Sequence, residues 1–137
     1  MISQVAKSFI GTPFRHQGRT PQFGLDCAGV LVCALEGAGV AVNDCRTYEK
    51  IPPRDLLRSM VELHGLKEKF RKPQEDDVCL FWMRNKRLVI HCGIVVDDGR
   101  NMVHVEAGRC VEIVPLRIWE DQRAATYALK EVKPWRS

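Results

Sequence analysis

Cys27 is the residue of this chain placed where a side chain gains reactivity, in the run Gly24-Leu25-Asp26-Cys27-Ala28-Gly29-Val30-Leu31. Asp26 reads as the N-cap of a helix, which puts Cys27 in its first turn. Unpaired N–H groups and the positive end of the helix dipole gather there. Both favour a thiolate over a thiol, and the thiolate is the nucleophile. The same N–H groups suit the oxyanion of a tetrahedral intermediate. Ala28 and Gly29 keep the surroundings small, so a substrate backbone is expected to approach closely. A cysteine simply buried at a helix start needs no such chemistry, and position alone leaves both readings open.

A nucleophilic thiol needs a base, and the base an orienting partner. His91 and His104 flank Asp97-Asp98-Gly99-Arg100, where Asp-Gly signals a two-residue hairpin turn. Closing the hairpin at Asp98-Gly99 sets Gly93 opposite His104 and Glu106 opposite His91. Alternation then puts His91, Gly93, His104 and Glu106 on one face. The two histidines become diagonal neighbours roughly 7–8 Å apart at the backbone, within reach of a shared hydrogen bond. Gly93 is expected to leave room for an imidazole, with Glu106 a substitute orienting group. Ile90, Cys92, Ile94, Val96, Val103 and Val105 fall on the opposite face and read as core, so the histidine face is expected to be the wetter one. His64 lies on an apolar stripe and reads as half-buried, while His16, in the loop before Cys27, is a candidate for the substrate cleft.

These residues need a scaffold, and 137 residues supply one domain, read as spanning 1–137. Ser3 is expected to cap a short helix through Phe9, and Phe14 to Leu25 reads as a loop. The Asp26 helix runs through Leu35 and stops near Gly37 or Gly39. Pro52-Pro53-Arg54-Asp55 opens another, with Leu56, Leu57, Met60, Val61 and His64 on one stripe and Gly65 as stop. Strands follow at Val78–Met83, Leu88–Val96, Asn101–Val105, Cys110–Val114 and Ala124–Val132. Helices first and an antiparallel sheet afterwards make an α+β domain.

Composition excludes other classes. With 45% hydrophobic and 28% charged residues, disorder, collagen-like repeats and coiled coil are ruled out. The net charge of +4 is scattered rather than gathered in a stripe, so nucleic acid is not an expected partner. No apolar run approaches the ~18 residues of a membrane span, and the N-terminus lacks a secretory signal, so synthesis in the cytoplasm is expected. Cysteines at 27, 33, 45, 79, 92 and 110 include no C-x-x-C pair, and reduced thiols, mostly small buried hydrophobes, are expected.

Taken in order, Gly11-Thr12-Pro13-Phe14-Arg15-His16-Gln17-Gly18, Leu25-Asp26-Cys27-Ala28-Gly29, Asp77-Val78-Cys79-Leu80-Phe81, His91-Cys92-Gly93-Ile94 and Val103-His104-Val105 resemble the NlpC-type cell-wall peptidases. The form looks closest to the branch found in tails of phages and gene-transfer agents. The resemblance covers about residues 5 to 116. It implies a papain-like α+β fold, with the cysteine helix packed on an antiparallel sheet, and hydrolysis of amide bonds in peptidoglycan stem peptides without metal or organic cofactor. By position it makes Cys27 the nucleophile, His91 the base and later the acid, and His104 the group that orients His91. Asp26 matches the aspartate before the nucleophile, as helix cap or binder of a substrate amine. Phe14 stands where a tyrosine is frequent, so a hydroxyl that assists the oxyanion is missing. Asp76 stands where a glycine is usual. The resemblance further implies tail-particle proteins as partners and action at the bacterial wall after incorporation in a virion or tail-like particle. The competing readings are a structural tail adaptor without hydrolysis, a thiol-dependent amidase or acyltransferase, and a zinc module on Cys27, His91 and His104.

Overall fold

A computed structural model describes residues 1–44, 56–82 and 88–130. The Pro52-Pro53-Arg54-Asp55 helix start, the ends of two expected strands at Met83 and at 131–132, and Cys45 lie outside the described residues. Among the described residues three helices, α1 (Ile2–Lys7), α2 (Cys27–Gly37) and α3 (Leu56–Leu63), precede most of the sheet. A two-stranded hairpin, β1 (Arg19–Thr20) with β2 (Gly24–Leu25), sits inside the stretch expected to be loop. The main sheet comprises β3 (Lys67–Lys69), β4 (Val78–Trp82), β5 (Val89–Val96), β6 (Asn101–His104), β7 (Glu112–Pro115) and β8 (Arg123–Ala128). Its order is β3-β8-β4-β5-β6-β7, antiparallel throughout. The charged edge strand β3 (Lys-Glu-Lys) has no apolar alternation and was not expected from the sequence.

All three helices pack against β5, which anchors the core. Val30, Leu31, Ala34 and Leu35 of α2 and Leu57, Met60 and Val61 of α3 meet Cys92, Ile94 and Val96 there. Each large aliphatic side chain buried in this way contributes about 1.5–3 kcal/mol. Helix α1 departs from expectation. Ser3 lies inside it, 2% exposed, and makes no cap. The cap comes from Asp76, whose Oδ1 accepts the Ser3 N–H at 2.9 Å. Asp76 has a φ of +70°, a left-handed conformation that accounts for a glycine as the usual residue there.

The hairpin register is as expected, with Ile94 opposite Val103 and Val96 opposite Asn101. The turn is longer, however. Pairing stops at Val96–Asn101, and Asp97, Asp98 and Gly99 all take positive φ, at 56°, 58° and 91°.

The sheet's second face corrects the expectation of a wetter side. Cys79, Phe81, Val95 and Met102 are buried on it beneath Leu116 and Trp119, carried by a 3-10 segment at Leu116–Gln122. Met102 also corrects the role of Gly93. A Cβ there would lie 2.5 Å from Met102 Sδ, so the glycine makes room for a methionine rather than an imidazole.

Candidate active site

Helix α2 begins where the sequence places it. Asp26 is extended, and its Oδ1 accepts the Gly29 N–H at 2.8 Å. Oδ2 accepts from Gln17 N at 2.9 Å, and Arg19 Nη1 lies 3.0 Å from Oδ1, with both side chains 7% exposed. Arg19 continues to Asp44 through Nε at 2.8 Å. The Asp26 carboxylate is therefore the cap and the hub of a buried ionic network. Gly29 is equally structural: a Cβ would stand 2.1 Å from the Gly18 carbonyl oxygen. The space expected beside Gly29 is taken by Gly18, with Leu25 and Arg19 next to it.

Cys27 occupies the first helical position, half-buried, with its amide outside the helical bonding pattern. Strand β5 brackets it. Cys27 Sγ lies 3.8 Å from the Ile90 carbonyl oxygen, and Cys92 Sγ–H donates to the Cys27 carbonyl at 3.3 Å. A bulge makes this approach: Phe81 pairs with His91 but Trp82 pairs with Val89, leaving Ile90 as the extra residue. Val89 thereby joins the helix-side core, and Ile90, expected in that core, is only half-buried, its carbonyl turned to the cysteine.

The structure brings His91 and His104 together as the hairpin register requires. His91 Nε2 and His104 Nδ1 are 2.8 Å apart. Trp119 stacks on His91 with centroids 5.0 Å apart and rings 28° from parallel, and meets His104 edge-on at 5.2 Å. Phe81 closes the wall at 5.9 Å from His91. His104 is 1% exposed.

Electrostatics separate the thiols. The Cys27 pKa is lowered to about 5, first by hydrogen bonding with the neighbouring Cys92 thiol, then by the hydrogen bond and charge of His91, against burial. Cys92 moves the other way, well above the usual thiol range, since it serves as donor beside that thiolate. Burial pushes Cys79 to about 12. Burial, then the charge of His91, pulls His104 down to about 4, so its imidazole is neutral near neutral pH.

The remaining candidates are placed differently. Phe14 is half-buried against the core, its N–H donating to the Arg109 carbonyl at 2.9 Å. His16 is half-buried in the loop whose next residue, Gln17, donates its backbone N–H to Asp26. His64 is a staple: Nδ1 bonds the Met60 carbonyl at 2.6 Å, so Nε2 is the acceptor for Asn43 N at 2.9 Å. Glu106 does not pair with His91, because β6 ends at His104. Cys92 and Trp119 were missed as site residues. Strand alternation from His91 carries the signal for Cys92, on the face toward α2. Nothing local marks Trp119, which arrives from a 3-10 segment after β7.

The family model described as NlpC/P60 family matches residues 11–127. No curated protein sequence matches this one. Among solved structures, an NlpC/P60 family protein from Bacillus cereus is similar with TM-score 0.68 and 23% identity over 91% of this chain. A Staphylococcus aureus protein described as similar to lipoprotein, NLP/P60 family, gives TM-score 0.66 and 17% identity over 96%. This chain spans only 38% and 41% of those two proteins. The NlpC/p60 domain of the peptidoglycan hydrolase SagA gives TM-score 0.65 and 19% identity, covering 93% of this chain and 96% of that one. The fold is thus the papain-like α+β arrangement of those structures.

Proposed function

The chain belongs to the NlpC/P60 family, and from that premise we propose that it is a cysteine peptidase hydrolysing amide bonds in the stem peptides of peptidoglycan. The observation that carries the reading is a thiol of depressed pKa at a helix head, beside a histidine whose far nitrogen is held by a second histidine. His91 takes the Cys27 proton, leaving a thiolate–imidazolium pair. The thiolate attacks the amide carbonyl, and the Cys27 N–H at the helix start supports the oxyanion. As the C–N bond breaks, His91 returns the proton to the leaving amine. Neutral His91 then takes a proton from water, whose oxygen displaces the sulfur from the thioester. The site supports this without a cofactor: sulfur and imidazole supply the nucleophile, base and acid.

The test is digestion of purified peptidoglycan, with products identified by mass and small amides run alongside. Release of stem-peptide fragments, abolished in Cys27→Ala, supports the reading. Turnover of small amides alone points to an amidase or acyltransferase instead. The sequence resemblance to the phage-tail and gene-transfer-agent branch supports a narrower proposal. In it the chain is made in the cytoplasm, joins a tail-like particle and breaches the wall of the recipient cell. Particles carrying Cys27→Ala that assemble normally but lose wall cleavage fit this. Failed assembly without measurable hydrolysis in the unmutated protein fits a structural adaptor.

A further inference from the structure

We infer that Glu112 is a positioning residue: its carboxylate holds His104 as the Nε2–H tautomer, so that His104 Nδ1 accepts from His91 Nε2 and His91 Nδ1 is left to take the Cys27 proton and to act as base again at the thioester. This rests on the reading above, in which His91 is the base.

Proton counting carries the inference. A neutral imidazole has one N–H, and the 2.8 Å contact between His91 Nε2 and His104 Nδ1 accommodates one proton. Since Nε2 of His91 is engaged there, Nδ1 is the nitrogen left to face the thiol. To act as a base, Nδ1 must be unprotonated, so the His91 proton sits on Nε2 and is donated to His104 Nδ1. Neutral His104 must then carry its own proton on Nε2. In the reverse arrangement His104 donates from Nδ1, His91 is protonated on Nδ1, and no base faces Cys27. The direction of this one hydrogen bond decides whether the site works.

The surroundings of His104 Nε2 set that direction. The atom is buried and has no hydrogen-bond partner among the described residues. The Glu112 Oε2 atom lies 3.9 Å away, because His104 and Glu112 are directly opposite in the β6–β7 ladder. A lone pair on the buried Nε2 would face a carboxylate, whereas an N–H there is attracted to it. Arg109 pairs with the same carboxylate from the exposed side, Nε to Oε2 at 2.8 Å and Nη2 to Oε1 at 2.9 Å, without touching His104. Glu106 brings a second carboxylate within 4.8 Å of Glu112 and of the His104 ring. His104 stays neutral because burial and the facing His91 outweigh Glu112, with Arg109 acting in the same lowering sense. It is therefore the tautomer of His104, not its charge, that Glu112 governs.

The experiment uses the full chain and two variants that each break the Arg109–Glu112 pair, only one of which removes the carboxylate. Nitrogen-15 NMR of the histidine rings reports the tautomer without reference to activity, and stem-peptide hydrolysis gives kcat and KM. The wild type is expected as the His104 Nε2–H form. Glu112→Gln loses that preference, and kcat falls roughly tenfold or more with KM unchanged, the loss that removing an outer partner of a working imidazole brings. Arg109→Gln keeps the Nε2–H form and most of kcat. An Nδ1–H tautomer in the wild type overturns the inference, as does equal loss in both variants or an unchanged tautomer in Glu112→Gln. Should the wild type hydrolyse no stem peptide, the peptidase reading fails while the tautomer measurement still decides this one.

Discussion

Alkylation of Cys27 across the pH range tests the site at its root. The thiol is held at about 5 by Cys92, then by His91. At pH 6 such a group is about nine-tenths ionised, whereas an ordinary thiol near 8.5 is ionised to about 0.3%. Thiolate fraction therefore favours Cys27 roughly 300-fold. Nucleophilicity falls with pKa, and a Brønsted slope of about 0.4–0.5 over ~3.5 units returns a factor of roughly 25–55. The net preference at pH 6 is about tenfold, and it vanishes or reverses near pH 9 as ordinary thiols ionise. A single rate at neutral pH is thus uninformative; the profile is the measurement. Iodoacetamide labelling read by peptide mass, with exposed Cys110 as internal comparator, is expected to show Cys27 reacting at a rate nearly constant from pH 6 to 9 and falling below about 5. Cys92→Ala removes the largest lowering influence and should move that inflection upward, with His91→Ala moving it less. A wild-type rate that climbs through pH 8–9 like any free thiol refutes the assignment of Cys27 as a poised nucleophile.

Three further outcomes follow from the contacts around the site. Because His104 is held near 4 while an unfolded histidine titrates near 6.5, the unfolded chain binds the extra proton between those values. Its contribution to stability is full above about pH 6.5 and is lost as pH falls toward 4, by about 3 kcal/mol. Urea unfolding of His104→Gln at pH 4.5 and 7 should show that part of the slope gone. Trp119→Ala removes the ring that stacks on His91 and should cost no more than about 3 kcal/mol, since the site is only half-buried. It should lower kcat more than it raises KM, and Trp119→Phe should restore most of the loss. Asp26→Ala removes one of the two carboxylates on the buried Arg19 guanidinium, which keeps Asp44, and uncaps α2, so about 1–3 kcal/mol of stability should be lost in thermal unfolding. Unchanged stability with weakened substrate binding would instead make Asp26 a substrate ligand.

Features written in consecutive residues were legible before any coordinates. Asp26 caps because an aspartate before Cys27-Ala28-Gly29 has its carboxylate within hydrogen-bond reach of the Gly29 N–H, whatever else the chain does. The β5–β6 register followed from a turn signal and a period of two, and it alone placed His91 beside His104. The α+β order likewise came from where apolar periodicity changes.

Other features depend on which distant segment arrives at a surface, and local pattern carries no address for that. The histidine face looked open because its cover, Trp119 and Leu116, comes from beyond β7. Gly29 and Gly93 read as space for ligands, yet Gly18 and Met102 fill those spaces, since a glycine shows that something approaches but not what. The bulge at Ile90 arises from pairing with β4, and it turns one strand's carbonyl and thiol toward the head of a helix some sixty residues earlier in the chain. Residue identity and near-neighbour geometry chose the reacting groups; the packing of separate segments decided how dry, how close and how oriented those groups are, because burial and long-range contact are properties of the assembled chain.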